Sequence, residues 1–410
     1  MKQSLTLPNT AVPVSLIKEP DHFGGQLIGE FLVGDLVIQG TRAVGLRASD
    51  LAPAARLLTP KFAESHVHLD KCFTFDRIGN LGGDLVAAIE AQAKDRASWT
   101  REDLALRAGR ALDDLSRFGC HVVRSHVDWT HGSKADQAPL AWHILNELAE
   151  ERKEDLTLQI AALTGIEDLA DPAMANAIGR ICAAKNGVLG AFVFGQPKLE
   201  EGIRQAFLVA DRYGLMLDFH VDEGMDPALN GLEVIADMAL ATGFEGPILC
   251  GHACSLATKP ASDVARITGK LARAGITIAT LPTTNLYLQG RAEQGMGARG
   301  MTAVKELRAA GVDVITGTDN VQDAFYPTGS FDPRRALELA LVTAHLDPPL
   351  GAHLPMIGHT ADRALGVTPH YVDTADISDL LLFDTASPAA MLSGATPPVP
   401  LLQAMQGVSQ

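Results

Sequence analysis

LLTPKFAESHVHLDK, residues 57–71, runs from an apolar, strand-like segment straight into His66-Val67-His68. Successive side chains of a strand alternate between its two faces, so His66 and His68 leave the end of such a strand on the same side. Two imidazoles at that spacing can grip one metal ion. Taken alone, the pair equally fits a chance His-x-His on a surface turn, and the flanking sequence has to decide.

Downstream, short apolar, β-branched runs recur. They are CHVVRSHV (120–127), LTLQIAAL (156–163), VLGAFVFG (188–195), LMLDFHVD (215–222), PILCGH (247–252), ITIATL (276–281) and VDVITGTD (312–319). Helix-like stretches such as REDLALRAGRALDDLSRFG (101–119) and EEGIRQAFLVADRYG (200–214) separate them, and several close on Gly as a helix C-cap would. With LLTPKFAESH (57–66) they make a set whose number closes a parallel barrel. An open doubly wound sheet gives a similar alternation, but no GxGxxG follows the first strand to favour a dinucleotide fold.

The flanks differ. QLIGEFLVGDLVIQG (26–40) and YVDTADISDLLLFDT (371–385) are β-rich and broken by Gly and Asp. The expected fold class is α/β: a (β/α)8 TIM-type barrel over residues 58–366, with a small β accessory domain formed from both chain ends, residues 1–57 and 367–410.

Composition narrows the function. A formal charge of −15 over 410 residues argues against a nucleic-acid binder, which gains affinity from clustered Lys and Arg. The five cysteines form no regular framework, which reads as reduced thiols. The start MKQSLTLPNTAVPVSL is too polar for a secretory signal, and no apolar run approaches the roughly 20 residues of a membrane span. A soluble, cytoplasmic protein with no membrane or nucleic-acid partner is expected.

The 13 histidines separate by position. His66 and His68 end the first predicted strand, His220 the fifth and His252 the sixth, while Asp319 ends the eighth. Strand C-termini of a barrel converge on one face, where catalytic groups gather. Such a set of imidazole nitrogens with one carboxylate suits one divalent ion, Zn2+ or Fe2+, with room for water. Glu223, three residues after His220, is the candidate proton shuttle; a solvated loop carboxylate is the plainer reading of any single Glu. Cys250 and Cys254 flank His252 and read as packing residues. His126 points to the same face, in a supporting role or as a structural histidine.

At this point the motifs HVHLDK, SHVDWT, DFHVDE, GHACSLA, NLYLQGR and GTDNVQDAFYPTGSFDP, in that order between residues 64 and about 333, resemble the amidohydrolase superfamily and its cytosine deaminase-like branch. The resemblance implies a hydrolase acting on carbon–nitrogen bonds other than peptide bonds. His66, His68, His220 and Asp319 would be metal ligands, His252 would orient the metal-bound hydroxide, and Glu223 would be the general acid/base. Phe325 and Tyr326 fall in a stretch that packs near substrate in the family. Gln289 matches a recurring family feature and is assigned with Phe325 to substrate binding. The small-molecule partner would be a heterocycle, and the family implies a homo-oligomer.

Two departures bear on substrate. Where cytosine deaminase places a glutamine after the third strand, this chain reads AALTGIED with Gly165, and where it follows the ligand Asp with another Asp, this chain has Asn320. A carboxylate only accepts, whereas an amide donates and accepts, so Gly165 and Asn320 change the pattern offered to a ring. The expected function is hydrolytic deamination of a cytosine-like pyrimidine or related ring, releasing ammonia. The alternative within enzymes is removal of an N-alkylamino group from a triazine, or opening of a cyclic amide. Outside enzymes it is a decayed, metal- or ligand-binding protein.

Overall fold

The computed structural model describes residues 4–48, 54–79, 83–291 and 298–408. Its central sheet has eight strands: β1 (Phe62–Val67), β2 (Cys120–Asp128), β3 (Thr157–Gly165), β4 (Val188–Val193), β5 (Leu217–Val221), β6 (Ile248–His252), β7 (Thr277–Thr280) and β8 (Val314–Thr316). Each pairs in parallel with its neighbours in chain order. The ends meet through a parallel bridge between Val67 and Asp319, and Ser65 Oγ donates to the Thr316 carbonyl at 3.3 Å. The expected TIM-type barrel is present.

Every residue of β1, β5 and β6 is buried. That is the signature of a parallel strand covered by side chains inside and helices outside. The outer helices follow from their sequences. Arg101–Arg117 starts where the Thr100 side chain accepts from the Asp103 amide, and it buries Leu104, Ala108, Ala111, Leu112 and Leu115 at helical spacing. Leu199–Tyr213 ends at Gly214, whose φ of 64° is the left-handed C-cap the sequence predicted.

A second sheet takes strands from both chain ends: Ser4–Pro13, Gln26–Ile28, Phe31–Gln39, Arg42–Arg47, Arg56–Pro60, Leu380–Phe383 and Val399–Pro400. One expectation needs correction. The run 57–66 is two strands, not one, because Pro60 has no amide to continue a ladder and the Lys61 amide turns to the Asp379 carbonyl at 2.7 Å. Leu57 and Leu58 therefore pair with Phe383 and Leu382 in the second sheet, and only Phe62 onward enters the barrel. The N-terminal stretch, assigned above to the accessory domain, contributes the strand Ser4–Pro13. Among the described residues no helix is long and apolar enough to cross a membrane.

Candidate active site

Alternation along β1 puts Glu64, His66 and His68 on one side of the strand, facing the barrel axis at its C-terminal end. The Nε2 atoms of His66 and His220 lie 3.0 Å apart, and those of His220 and His68 3.2 Å. Asp319 Oδ1 lies 3.3 Å from His68 Nε2 and 3.6 Å from His66 Nε2. Asp319 reaches this position from a left-handed turn just past β8, with φ of 58°, a conformation that non-glycine residues adopt rarely and that recurs at functional sites.

Hydrogen bonding does not account for this cluster. Both Asp319 oxygens and His252 Nε2 are buried with no hydrogen-bond partner among the described residues. Burying such groups unsatisfied is costly, and a cation among them removes the cost. Ligand atoms about 2.0–2.1 Å from a zinc-sized ion sit roughly 3.3 Å from one another in a tetrahedral shell, a value the observed spacings of 3.0 to 3.6 Å bracket. Burial, then the neighbouring imidazoles, holds His66 and His220 well below the ordinary range and keeps their lone pairs free. Burial would raise the Asp319 carboxyl, but His68 and His252 outweigh it and keep the group ionised. Three neutral nitrogens and one carboxylate fit a borderline divalent cation.

Glu223 follows β5. The Asp222 carboxylate accepts from the amides of Gly231 and Leu232, both at 3.0 Å, and the turn so fixed aims Glu223 back over the strand ends. Its Oε1 is buried without a hydrogen bond, 3.6 Å from His252 Nδ1. Burial, against the pull of His252, pushes the Glu223 carboxyl up to about 7, so it can carry or release a proton near neutrality. His252 Nδ1 donates to Asn285 Oδ1 at 2.9 Å, which leaves Nε2 unpartnered. Ligand atoms converge in two overlapping groups, His66, His68, His126 and His220 in one and His66, His252 and Asp319 in the other.

His68, His220, Glu223, His252 and Asp319 line a cavity of about 450 Å3 together with Lys71, Gly165, Asn320 and Phe325. Of the four residues predicted to meet substrate, Gly165, Asn320 and Phe325 are on its wall. Gln289 is not: its Nε2 donates to the Glu223 carbonyl at 3.0 Å. Tyr326 packs on Tyr287, with ring centroids 5.9 Å apart. Asn320 Nδ2 donates to Asp323 Oδ2 at 2.7 Å, and Asp323 Oδ1 accepts from the amides of Phe325 and Tyr326. One buried carboxyl thus sets three residues of the loop beyond β8.

His126 lies under the cluster, its ring centroid 4.0 Å from that of His66. Its Nε2 is 3.0 Å from Asp218 Oδ1, and Arg124 Nη1 donates to the other oxygen at 2.9 Å. Cys250 and Cys254 are fully buried, and burial pushes both thiols well above their usual range, in keeping with packing residues.

Sequence reasoning missed several groups. Glu64 accepts from the amides of His66 at 3.1 Å and Thr318 at 3.2 Å, and so ties β1 to the loop after β8. Lys71, left without a role above, is ion-paired with Asp128, which also pairs with Arg96 at 3.1 Å. Asp128 follows His126 by two residues on β2, a period that was legible. His121, Asp362 and His370 also converge, but there the two imidazoles share the Asp362 carboxylate at 2.8 and 3.3 Å and complete one another.

The sequence matches the family model described as "Amidohydrolase family" over residues 76–370. It is 32% identical over 343 residues to a pterin deaminase of Rhizobium rhizogenes (strain K84 / ATCC BAA-868), covering 83% of this chain and 77% of the relative. The structure is similar to 5-methylcytosine deaminase from Klebsiella pneumoniae liganded with phosphonocytosine, with TM-score 0.80 and 25% identity over 96% of this chain and 95% of the other. N-isopropylammelide isopropylaminohydrolase from Burkholderia multivorans ATCC 17616 shares the fold, with TM-score 0.72 and 21% identity over 97% of each chain.

Proposed function

We propose, from the premise that this chain belongs to the amidohydrolase family, that it hydrolyses the exocyclic C–N bond of an amino-bearing fused pyrimidine and releases ammonia. The coarser activity follows from kinship: the chain is a hydrolase acting on carbon–nitrogen bonds other than peptide bonds. The observation that carries the finer reading is Glu223, a buried carboxyl with one unpartnered oxygen, poised near neutrality on the same cavity as His68, His220 and Asp319.

In this reading His66, His68, His220 and Asp319 hold a divalent cation, Zn2+ or Fe2+. When bound, such a cation supplies Lewis acidity and lowers the pKa of coordinated water from 15.7 toward roughly 7. Asp319 and the unpartnered His252 Nε2 receive and hold the proton that water gives up. Glu223 enters protonated and donates to the ring nitrogen next to the amino-bearing carbon, drawing electron density from that carbon as oxygen adds to it. The proton held by Asp319 and His252 passes to the amino group, the added hydroxyl returns a proton to Glu223, the C–N bond breaks, ammonia leaves and a ring carbonyl remains. Gln289 holds the Glu223 backbone in place rather than touching substrate.

Two observations favour a fused ring over cytosine. The relative named for its substrate at 32% identity deaminates a pterin. The wall at Gly165 carries no side chain where cytosine deaminase carries a glutamine, and the cavity runs on to His131 and Asp168. The triazine alternative has the fold in common, but Glu223 is the group that amino-group loss from a ring requires.

The test is protein loaded with Zn2+ or Fe2+ and assayed for ammonia from pterin, isocytosine and cytosine, and for alkylamine from N-alkylaminotriazines. Ammonia from pterin at the highest kcat/KM is expected. Alkylamine release without ammonia would replace this reading with the triazine one.

A further inference from the structure

Gly165 ends β3 on the cavity wall, and the space beside it is filled from two other places in the chain. His131, from the loop after β2, has its Nδ1 3.0 Å from Asp168 Oδ2, and Asp168 Oδ1 accepts from the Gly132 amide at 3.0 Å. Asp168 stands on the short helix Ile166–Leu169 that follows Gly165 directly. A Cβ on residue 165 would lie 2.9 Å from Asp168 Oδ2 and 3.2 Å from His131 Nδ1. A side chain at residue 165 would press on both members of the His131–Asp168 pair and displace them.

The pair is built for recognition. A carboxylate only accepts, so the shared proton sits on His131 Nδ1, and in the neutral ring Nε2 is an acceptor. That Nε2 has no partner among the described residues, and all of Gly165, His131 and Asp168 line the cavity. The His131 side chain is 60% exposed, at the rim, while His68, His220 and Asp319 lie buried at the floor. A ring whose amino-bearing carbon sits at the floor presents its remote edge to this rim.

We infer that His131, oriented by Asp168 in the space left by Gly165, is a specificity-determining residue that accepts a hydrogen bond from the far ring of a fused amino-heterocycle. The inference rests on the deamination reading above and adds which residue selects two rings over one. Asp168 is a positioning residue, acting through His131.

The experiment compares pterin with cytosine in the metal-loaded protein. His131→Ala is expected to raise KM for pterin by about 2- to 12-fold, the span of one net hydrogen bond, with kcat within about twofold. Its cytosine parameters and metal content stay unchanged. Gly165→Ala and Asp168→Ala raise KM for pterin in the same direction. The double variant His131→Ala, Asp168→Ala is no worse than the poorer single, because both remove one interaction. His131→Gln, which returns an acceptor oxygen, recovers part of the loss. An unchanged KM for pterin in His131→Ala, or an equal loss on cytosine, overturns the inference while leaving deamination standing. If the wild type releases ammonia from neither ring, the deamination reading fails, and calorimetric titration of pterin decides the rest. A weaker Kd in His131→Ala then supports the inference; an equal Kd, or no binding to either protein, ends it.

Discussion

The Asp319 amide donates to the His66 carbonyl at 2.8 Å, so the bond that closes the barrel joins two residues whose side chains converge at its mouth. Closure and the candidate cation site are one structure. A cation bound by His66 and Asp319 bridges the first and last strands through their side chains as this hydrogen bond does through their backbone.

Metal removal should therefore loosen the whole barrel, not only silence it. A cation bound to the folded state alone stabilises it by about 2.7 kcal/mol when free at 100 times its Kd. Thermal scans with and without a chelator should show a lower Tm for the stripped protein, restored by Zn2+ or Fe2+. Identical scans would mean that no ion spans the closure.

Glu223→Gln keeps size and one acceptor oxygen but cannot carry the proton. Turnover should fall by about 10²- to 10⁴-fold, as for the loss of one positioned acid or base. Metal content by elemental analysis should stay at the wild-type ratio, since Glu223 is not among the four convergent ligand atoms. Full activity in this variant would remove Glu223 from the reaction.

The site was legible to the extent that chemistry fell at strand ends. His66, His68, His220, His252 and Asp319 are marked by residue type and by the termination of an apolar run, and both signals are local. Glu64 was not legible. All six residues of β1 are buried, so no polar alternation marks its inward face. His131 was missed because its partner Asp168 lies 37 residues away on the next loop. Gln289 was placed near the site by resemblance, which fixes position but not the direction in which its amide points. The N-terminal strand was obscured by its prolines: Pro8 lies in the register shift between Leu7 and Thr10, and Pro13 is the last paired residue, opposite Phe31.

Asp323 offers a pH test away from the ligands. Burial, only partly offset by Asn320 and the backbone amides, pushes its carboxyl from an ordinary 3.8 to about 7. The folded state thus keeps this proton to higher pH than the unfolded chain. Its stabilising contribution is fully present below about pH 4 and is lost as pH rises through about 7, with an upper bound on the order of 4 kcal/mol. Asp323→Asn cannot titrate and retains an acceptor for the Phe325 and Tyr326 amides. Urea midpoints measured from pH 4.5 to 7.5 should therefore fall more steeply in the wild type than in the variant. Parallel curves would show that this carboxyl does not titrate in that window.

Glu64 reinforces the same seam as the Asp319–His66 bond, since its carboxyl accepts from the amides of His66 and Thr318 across the closure. Removing it leaves two buried N–H groups unsatisfied, at about 1–3 kcal/mol each. Glu64→Ala should accordingly lose roughly 2–6 kcal/mol of stability in urea unfolding. It should also bind the cation more weakly, because His66 and Asp319 are no longer held in register. Glu64→Gln keeps an acceptor oxygen for both amides and should retain most of the stability and the metal. The contrast between the two variants separates clamp from charge. If Gln is as damaging as Ala, the ionisable carboxyl matters beyond its hydrogen bonds; if neither is damaging, the seam is held by the backbone bond alone.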